Sequence, residues 1–300
     1  MLSLDDFHRV SVDDKEVFQQ HYAQYPPTHS GSLFSTIVSW NNYAHYHFCT
    51  VNNHLLLMHR IKNETQFRLP SGPFDKNLVK QVLSLARKEE SFHPVVFIER
   101  QQKETLLREF PGLQMVEDRD SFDYVYRAAD LAQLAGTPYA KIRNRLNQFQ
   151  KKYHYTVEPL SAQNMDEAQA FLTRWCLWRD CESDELLENE RKAILFAMAH
   201  FSLLGLSGLA LRLNNQIEAL AVFEQMNPDT AVVHFEKGSP DYDGIYKAIN
   251  METAKYLQQI VPFIDREEDM GLPGLRQAKM SYHPHHMVEV SLLEKNSIPR

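Results

Sequence analysis

The sequence predicts an α/β protein made of two tandem units of similar style, each a mixed sheet with helices on its faces. Three observations carry this. Apolar stretches of strand length alternate with amphipathic helical stretches along the whole chain. Two asparagine pairs, Asn52-Asn53 and Asn214-Asn215, each separate two strand-like runs and mark hairpins. The order of helices, hairpin, strand, helix, strand, helix and closing strand then occurs once in each half.

In the first half, residues 12–23 read as a helix, stopped by Tyr25-Pro26-Pro27. Residues 43–51 read as a strand, 55–61 as its return partner and 67–70 as a continuation of the sheet. Ser71-Gly72-Pro73 breaks the chain before a helix at 76–89. A short apolar strand at 94–98 follows, then a helix at 103–109 ended by Pro111-Gly112, and strands at 114–116 and 122–126. The second half opens with a basic helix at 138–152. Phe171, Leu172 and Trp175 form an apolar stripe on a helix at 166–178, and Ile194, Leu195, Met198 and Phe201 form another on the next. Strands follow at 209–213, 217–223 and 231–235. A helix at 244–258 has Asp243 as its expected N-cap. A strand at 263–265, a helix at 275–282 and a last strand at 287–293 close the chain. This order is that of the N-acetyltransferase-type (GNAT) fold. Residues 1–135 are read as the N-terminal domain and 136–300 as the C-terminal domain, which holds the expected cleft.

Composition narrows the function classes. Hydrophobic residues make up 43% and charged residues 24% of 300, enough apolar chain for buried cores. The net charge is -7, so a nucleic-acid contact has to be confined to a local basic surface. No apolar run approaches membrane-spanning length, and the N-terminus lacks the pattern of a signal peptide. A cytoplasmic protein without a transmembrane segment is expected. Cys49, Cys176 and Cys181 are few and odd in number, which fits reduced thiols, with the last two packed in a core. Histidine occurs 14 times, with His45 and His47 expected to point the same way on one strand and His283, His285 and His286 close together. Pro284 interrupts helical spacing and no third ligand is evident beside His45 and His47, so no metal site is expected. Walker, Gly-x-Gly-x-x-Gly, His-Glu-x-x-His and Gly-x-Ser-x-Gly motifs are absent from the sequence.

Longer strings carry more. Asp123-Tyr-Val-Tyr126, Lys141-Ile-Arg-Asn144 with Phe149, His234-Phe-Glu-Lys237, and Gly244-Ile-Tyr246 with Asn250 are four of them. The fifth runs from Arg266-Glu-Glu-Asp269 through Gly271, Gly274, Leu275, Arg276 and Lys279 to Ser281-Tyr282-His283-Pro284. Together they resemble the family named after the C-terminal domain of phosphatidylglycerol lysyltransferases, over nearly the whole chain. The resemblance implies two GNAT-like domains in tandem, an architecture shared with Fem-type peptidyl transferases. It further implies transfer of an aminoacyl group from aminoacyl-tRNA to a lipid or peptidoglycan amine. Unlike the named lysyltransferases, this sequence carries no transmembrane flippase region.

The residues themselves give a candidate site. Asp265-Arg266-Glu267-Glu268-Asp269 follows a short apolar strand, where ligands of open α/β sheets tend to bind. Carboxylates there can orient an ammonium group or take a proton, and an arginine can polarise a carbonyl. Arg266, Glu267, Asp269 and Glu236 are therefore the catalytic candidates. The plain alternative is a solvated acidic loop capping the next helix. Arg276 and Lys279 share a helix face behind Gly271 and Gly274 and are candidates for a terminal phosphate or the oxyanion, or are simply exposed cations. Tyr282 would be an acid, a ligand anchor or a core contact. Lys237 precedes the stretch where CoA-using relatives carry a glycine-rich pyrophosphate loop, but Asp241 and Asp243 stand there instead. Tyr246 and Asn250 lie four apart and would line one side of a cleft. Residues 131–157 contain no acid and carry Lys141, Arg143, Arg145, Lys151 and Lys152. This surface suits phosphates, with Arg143 and Asn144 its site-like pair, or else it is an interdomain helix.

The expected function is thus acyl transfer from aminoacyl-tRNA to an amine or hydroxyl acceptor, with no tightly bound cofactor. The partners would be the tRNA acceptor end and a lipid headgroup at the membrane surface. A CoA-dependent N-acyltransferase and a non-catalytic ligand-binding module on the same fold are the rival expectations.

Overall fold

The computed structural model describes residues 2–299, without the side chain of Glu182. The chain forms two compact units: residues 1–122 with 268–271 and 288–300, and residues 123–267 with 272–287.

The strands of the first unit are β1 (His8–Arg9), β2 (His47–Val51), β3 (His54–Ile61), β4 (Glu64–Phe67), β5 (Val95–Glu99) and β6 (Met115–Glu117), joined by the late β14 (Val290–Leu293). Those of the second are β7 (Asp123–Arg127), β8 (Tyr155–Pro159), β9 (Ser207–Leu213), β10 (Gln216–Asn227), β11 (Thr230–Gly238), β12 (Phe263–Asp265) and β13 (His286–Val288). The first sheet has the order β1-β2-β3-β4-β5-β14-β6 and the second β13-β7-β12-β11-β10-β9-β8. In each, a parallel pair lies mid-sheet, β4 with β5 and β11 with β12. Both are short. Phe67 pairs with Val95 alone, and only Thr230, Ala231 and Val232 pair with Phe263, Ile264 and Asp265. Beyond these residues neither parallel ladder continues.

The expected boundary at 135/136 is corrected. Residues 123–127 pair with β12, Ile264 opposite Tyr126, and so join the second sheet. The last strand joins the first sheet, Ser291 opposite both Ile98 and Glu117. The expected strand 287–293 is accordingly two strands in different sheets, separated at Glu289. Residues 43–51 are likewise not one strand. Asn41–Ala44 is a helical turn closed by His45 at φ 42, so His45 and His47 do not share a strand. The helix Phe34–Ser39 and strand β8 were not anticipated.

Helix periodicity sets the cores. Asp75 caps Lys76–Ala86, its carboxylate accepting from the Asn77 and Leu78 N–H groups, and Leu78, Val79, Val82, Leu83 and Ala86 pack into the first core. Ile245–Leu257 runs through the second core with Ile245, Ala248, Ile249 and Leu257 buried. It starts at Gly244, not under an Asp243 cap. A Cβ on Gly244 would come within 2.9 Å of Phe149 Cβ, and its φ is +97, so glycine permits this helix to approach Ala140–Lys152. Asp243 instead faces Arg145 at 3.7 Å.

Cys176 and Cys181, expected as separate thiols, are joined in a disulfide. The helix Met165–Arg179 ends at Asp180 with φ 52, which folds the chain back and brings the two Cα atoms to 5.3 Å. Cys49 is a buried free thiol. Among the described residues, no helix is long and apolar enough to cross a membrane.

Candidate active site

The site forms in the second unit where β11 and β12 part. Beyond Val232 the ladder between them ends, so Glu236 near the end of β11 and Arg266 just after β12 face each other instead of pairing backbones. Arg266 Nη2 donates to Glu236 Oε1 at 3.1 Å, with side chains 15% and 11% exposed. The guanidinium carbon lies 5.0 Å from the ring centre of Tyr282 and 5.8 Å from that of Tyr126. Burial works against the charge of Arg266, but Glu236, with the two tyrosines, outweighs it and raises its pKa. Burial also pushes the Tyr282 phenol up to about 12, against the pull of Arg266, so it stays protonated and can donate at neutral pH.

Asn250, on the helix Ile245–Leu257, completes the cluster. Its Nδ2 donates to Glu236 Oε2 at 3.1 Å. A carboxylate requires the amide to present its NH2 side, which fixes the direction of Oδ1. Oδ1 is buried and, among the described residues, has no protein partner. Glu236 and Asn250 Oδ1 therefore present acceptor capacity suited to N–H donors, beside a guanidinium suited to a carbonyl oxygen.

A cleft of about 670 Å³ lies in the same unit. Lys141, Asn144, Arg145 and Gln148 line it from one helix, Lys247 from a second, and Gln277 and Ser281 from around a third. No acid lines it. Burial lowers the pKa of Lys247, as does Arg145, while the fields of Glu236 and Asp243 oppose the shift.

Several expected site residues are committed elsewhere. Lys279 is buried, and its ammonium donates to the carbonyls of Arg266 at 2.6 Å and Glu267 at 3.0 Å. Its ammonium is thus bonded to the backbone that carries Arg266. Arg143 Nη1 donates to the carbonyls of Leu134 and Gly136, closing the helix Ala128–Gln133, so only Asn144 of that pair lines the cleft. Asp269 belongs to the first unit, fully buried, with Arg119 Nη1 donating to it at 3.2 Å and the Gly271 N–H at 3.0 Å. Lys237 pairs with Glu190 at 2.8 Å and stacks 4.3 Å from the Trp175 ring centre. Tyr246 accepts from Trp175 Nε1 at 3.1 Å. Arg276 is half-buried on the helix Pro273–Met280 and does not line the cleft.

Glu267 is bound to a residue that sequence reasoning quoted without a role. His234 lies buried on β11 with Nδ1 2.8 Å from Glu267 and Nε2 2.8 Å from Glu224. Burial lowers its pKa, but hydrogen bonds to the two carboxylates win and raise it to about 10. The ring is thus an imidazolium that donates twice and pins Glu267, which has φ 59. Asp265 is held well above its ordinary pKa by burial and by Asp123. Its Oδ1 accepts from the Glu267 N–H at 2.7 Å. These groups hold the turn that presents Arg266. Lys247 and Trp175 also escaped the sequence reading, because each looks like an ordinary helix-face residue. Among the described residues, no group of three His, Cys, Asp or Glu side chains is placed to hold a metal ion.

The fold of the two units is a tandem GNAT-like fold, shared with FemX. Residues 22–294 match the family described as phosphatidylglycerol lysyltransferase, C-terminal, and the chain belongs to that family. It is similar to a conserved protein of unknown function from Bacteroides thetaiotaomicron, with 28% identity, TM-score 0.88 and 96% and 98% of the two chains covered. The fold is shared with L-PGS from Bacillus licheniformis (14% identity, TM-score 0.63, 96% and 98% covered) and with FemX (10%, 0.57, 95% and 96%). An uncharacterised protein of Mycoplasmoides gallisepticum is 23% identical over 58% of this chain, and the match spans 56% of that relative's length.

Proposed function

We propose that this protein is an aminoacyltransferase that takes an aminoacyl group from aminoacyl-tRNA and passes it to an amine or hydroxyl acceptor, a lipid headgroup being the acceptor the family name suggests. The observation that carries this reading is Asn250 Oδ1, buried beside Glu236 and Arg266 without a protein partner among the described residues. An aminoacyl ester brings both an ammonium and a carbonyl, which the two sides of this cluster complement. A plain acyl thioester brings no ammonium. In this reading, Glu236 and Asn250 Oδ1 hold the α-ammonium, and Arg266 stabilises the oxyanion as the acceptor attacks the ester carbonyl. The acceptor's nitrogen or oxygen bonds to the carbonyl carbon. The ribose C–O bond breaks, and the proton lost by the acceptor ends on the ribose hydroxyl. Tyr282, protonated at neutral pH, is a donor to either oxygen.

Lys141, Arg145 and Lys247, with Asn144, Gln148 and Gln277, line the cleft that would hold the phosphates of the tRNA end. Asp241 and Asp243, in the stretch where a CoA pyrophosphate loop would lie, favour this donor over CoA. No bound cofactor takes part in this scheme, and cytoplasmic residence would give access to charged tRNA. The test is transfer from a pool of labelled aminoacyl-tRNAs by the wild type and by Arg266→Lys. The lysine keeps a charge but loses the planar fork and the stacking on Tyr282, so turnover should fall about 100-fold or more. Release of thiol from acetyl-CoA without consumption of charged tRNA would overturn the reading.

A further inference from the structure

The first unit holds a buried arginine that this reaction does not use. Arg68 follows β4 at the point where the chain parts from β5. Phe67 is opposite Val95, but the Arg68 N–H donates to Leu57 of β3, and Ser71 bridges back to Leu55. Arg68 is 7% exposed. Its guanidinium carbon lies 4.1 Å from the ring centre of Phe97, and Nη1 donates to Ser32 Oγ at 2.9 Å. Nε and Nη2 are buried and, among the described residues, have no well-aligned hydrogen-bond partner; the neutral Tyr46 phenol is close enough to interact with the guanidinium beside Ser32. These two nitrogens form the side-on edge of a guanidinium. Their N–H bonds are parallel and match two oxygens of a carboxylate or phosphate.

The surroundings do not neutralise this edge. Burial lowers the pKa of Arg68, and the groups that oppose this are the phenols of Tyr46 and Tyr22, Tyr46 also through a side-chain hydrogen bond, with Glu99 a weaker influence. Glu99 already accepts a hydrogen bond from Thr28. Burial, reinforced by Arg68, lowers His59 to about 3, so this ring is neutral. Its Nε2 faces Gln66 Oε1 at 3.0 Å, and its Nδ1 is another buried atom without a partner among the described residues. An unpaired buried cation is strongly unfavourable, and a chain normally supplies a counter-ion or replaces the residue.

We propose that the first unit binds a second ligand through Arg68: a small molecule or headgroup bearing a carboxylate or phosphate, held bidentate on Nε and Nη2. The ligand proposed here does not depend on the donor assigned to the second unit. Both nitrogens are covered, so the oxyanion has to displace the side chains over them.

The test compares thermal unfolding of the full chain in sodium chloride, sodium phosphate and sodium acetate at matched ionic strength. At about 50 mM, phosphate, acetate or both should raise the wild-type midpoint by about 2 °C or more over chloride. A response to phosphate alone identifies a phosphoryl ligand, and one to acetate alone a carboxylate. Arg68→Met should lose the anion response while unfolding in chloride no earlier than the wild type. If that variant does not fold, Arg68→Lys, which keeps the charge without the fork, should lose the response instead. Absence of any wild-type response beyond chloride, or an equal response in the variant, would overturn the proposal. Failure here leaves the transfer assay unaffected, because that assay reads the second unit.

Discussion

Asn250→Leu separates a binding role from a structural one more sharply than any other change at the site. Leucine has nearly the shape of asparagine, so the helix Ile245–Leu257 keeps its packing. Two terms then oppose each other. Glu236 Oε2 loses a charge-assisted hydrogen bond of 3.1 Å, which costs about 1.5–3 kcal/mol. The unpartnered Oδ1 disappears, which returns about 1–3 kcal/mol of desolvation. The net change in stability should lie within about 1 kcal/mol, or about 4 °C in Tm. Transfer should respond differently. If Oδ1 accepts from the donor's ammonium, its loss leaves a donor N–H unpaired in the bound state and should lower turnover by about 10–100-fold. The measurement is denaturant unfolding of both proteins beside single-turnover transfer from charged tRNA. Destabilisation beyond about 3 kcal/mol would mean that Oδ1 has a structural partner. Unchanged turnover would mean that the donor's ammonium is recognised elsewhere. Either outcome refutes the reasoning.

Four other outcomes follow from the structure. Lys279→Met should destabilise the second unit by about 2–3 kcal/mol in urea, because two buried carbonyls lose their donor. The salt dependence of tRNA binding should not change in that variant, whereas Arg145→Ala should lower its slope by about one. His234 is raised from 6.5 to about 10, so its stabilisation is complete below pH 6.5 and declines as pH rises through about 10. His234→Gln should flatten the stability profile over that window, as read by urea midpoints from pH 6 to 10. Reduction of Cys176–Cys181, with a separation of five residues, should cost about 2 kcal/mol by loop-closure entropy. Free-thiol titration with and without dithiothreitol would show the change from one titratable thiol to three, and denaturant unfolding its effect.

The elements legible in the sequence are those specified by their own residues. The two asparagine pairs make hairpin turns because each residue accepts a left-handed backbone, at φ 48 and 63 in one and 51 and 63 in the other. The helices Lys76–Ala86 and Ile245–Leu257 follow from apolar spacing. Strands β7 and β14 were legible as strands but not as members of the right sheet. The partner of Tyr126 is Ile264, far along the chain, and a five-residue strand carries no mark of which edge it will join. The site shows the same division. Arg266, Glu236, Asn250 and Tyr282 stood out in their strings and do converge. Arg143 and Lys279 stood out equally but bind backbone carbonyls, and a carbonyl leaves no trace in residue identity. The cysteines were misread because their pairing depends on the left-handed turn at Asp180, a conformation that aspartate adopts only occasionally.

Each unit, taken by itself, places a buried arginine beside an abbreviated parallel strand pair, and the consequences differ by one partner. Where two strands stop pairing, the gap needs a side chain that can stack on an aromatic ring and still direct hydrogen bonds along an edge, and arginine meets both demands. Arg266 stacks on Tyr282 and has Glu236 as its counter-ion, so its charge is balanced within the chain and its geometry is fixed. A guanidinium held in that way is prepared to stabilise charge that develops transiently on a carbonyl oxygen. Arg68 stacks on Phe97, but the polar groups around it, Ser32 and the Tyr46 phenol, are neutral, and among the described residues no carboxylate is bonded to its side-on edge. Without a bonded carboxylate, the charge favours a permanent anion over a transient one. The same backbone device thus suits catalysis in one unit and ligand binding in the other, according to whether the chain supplies the carboxylate.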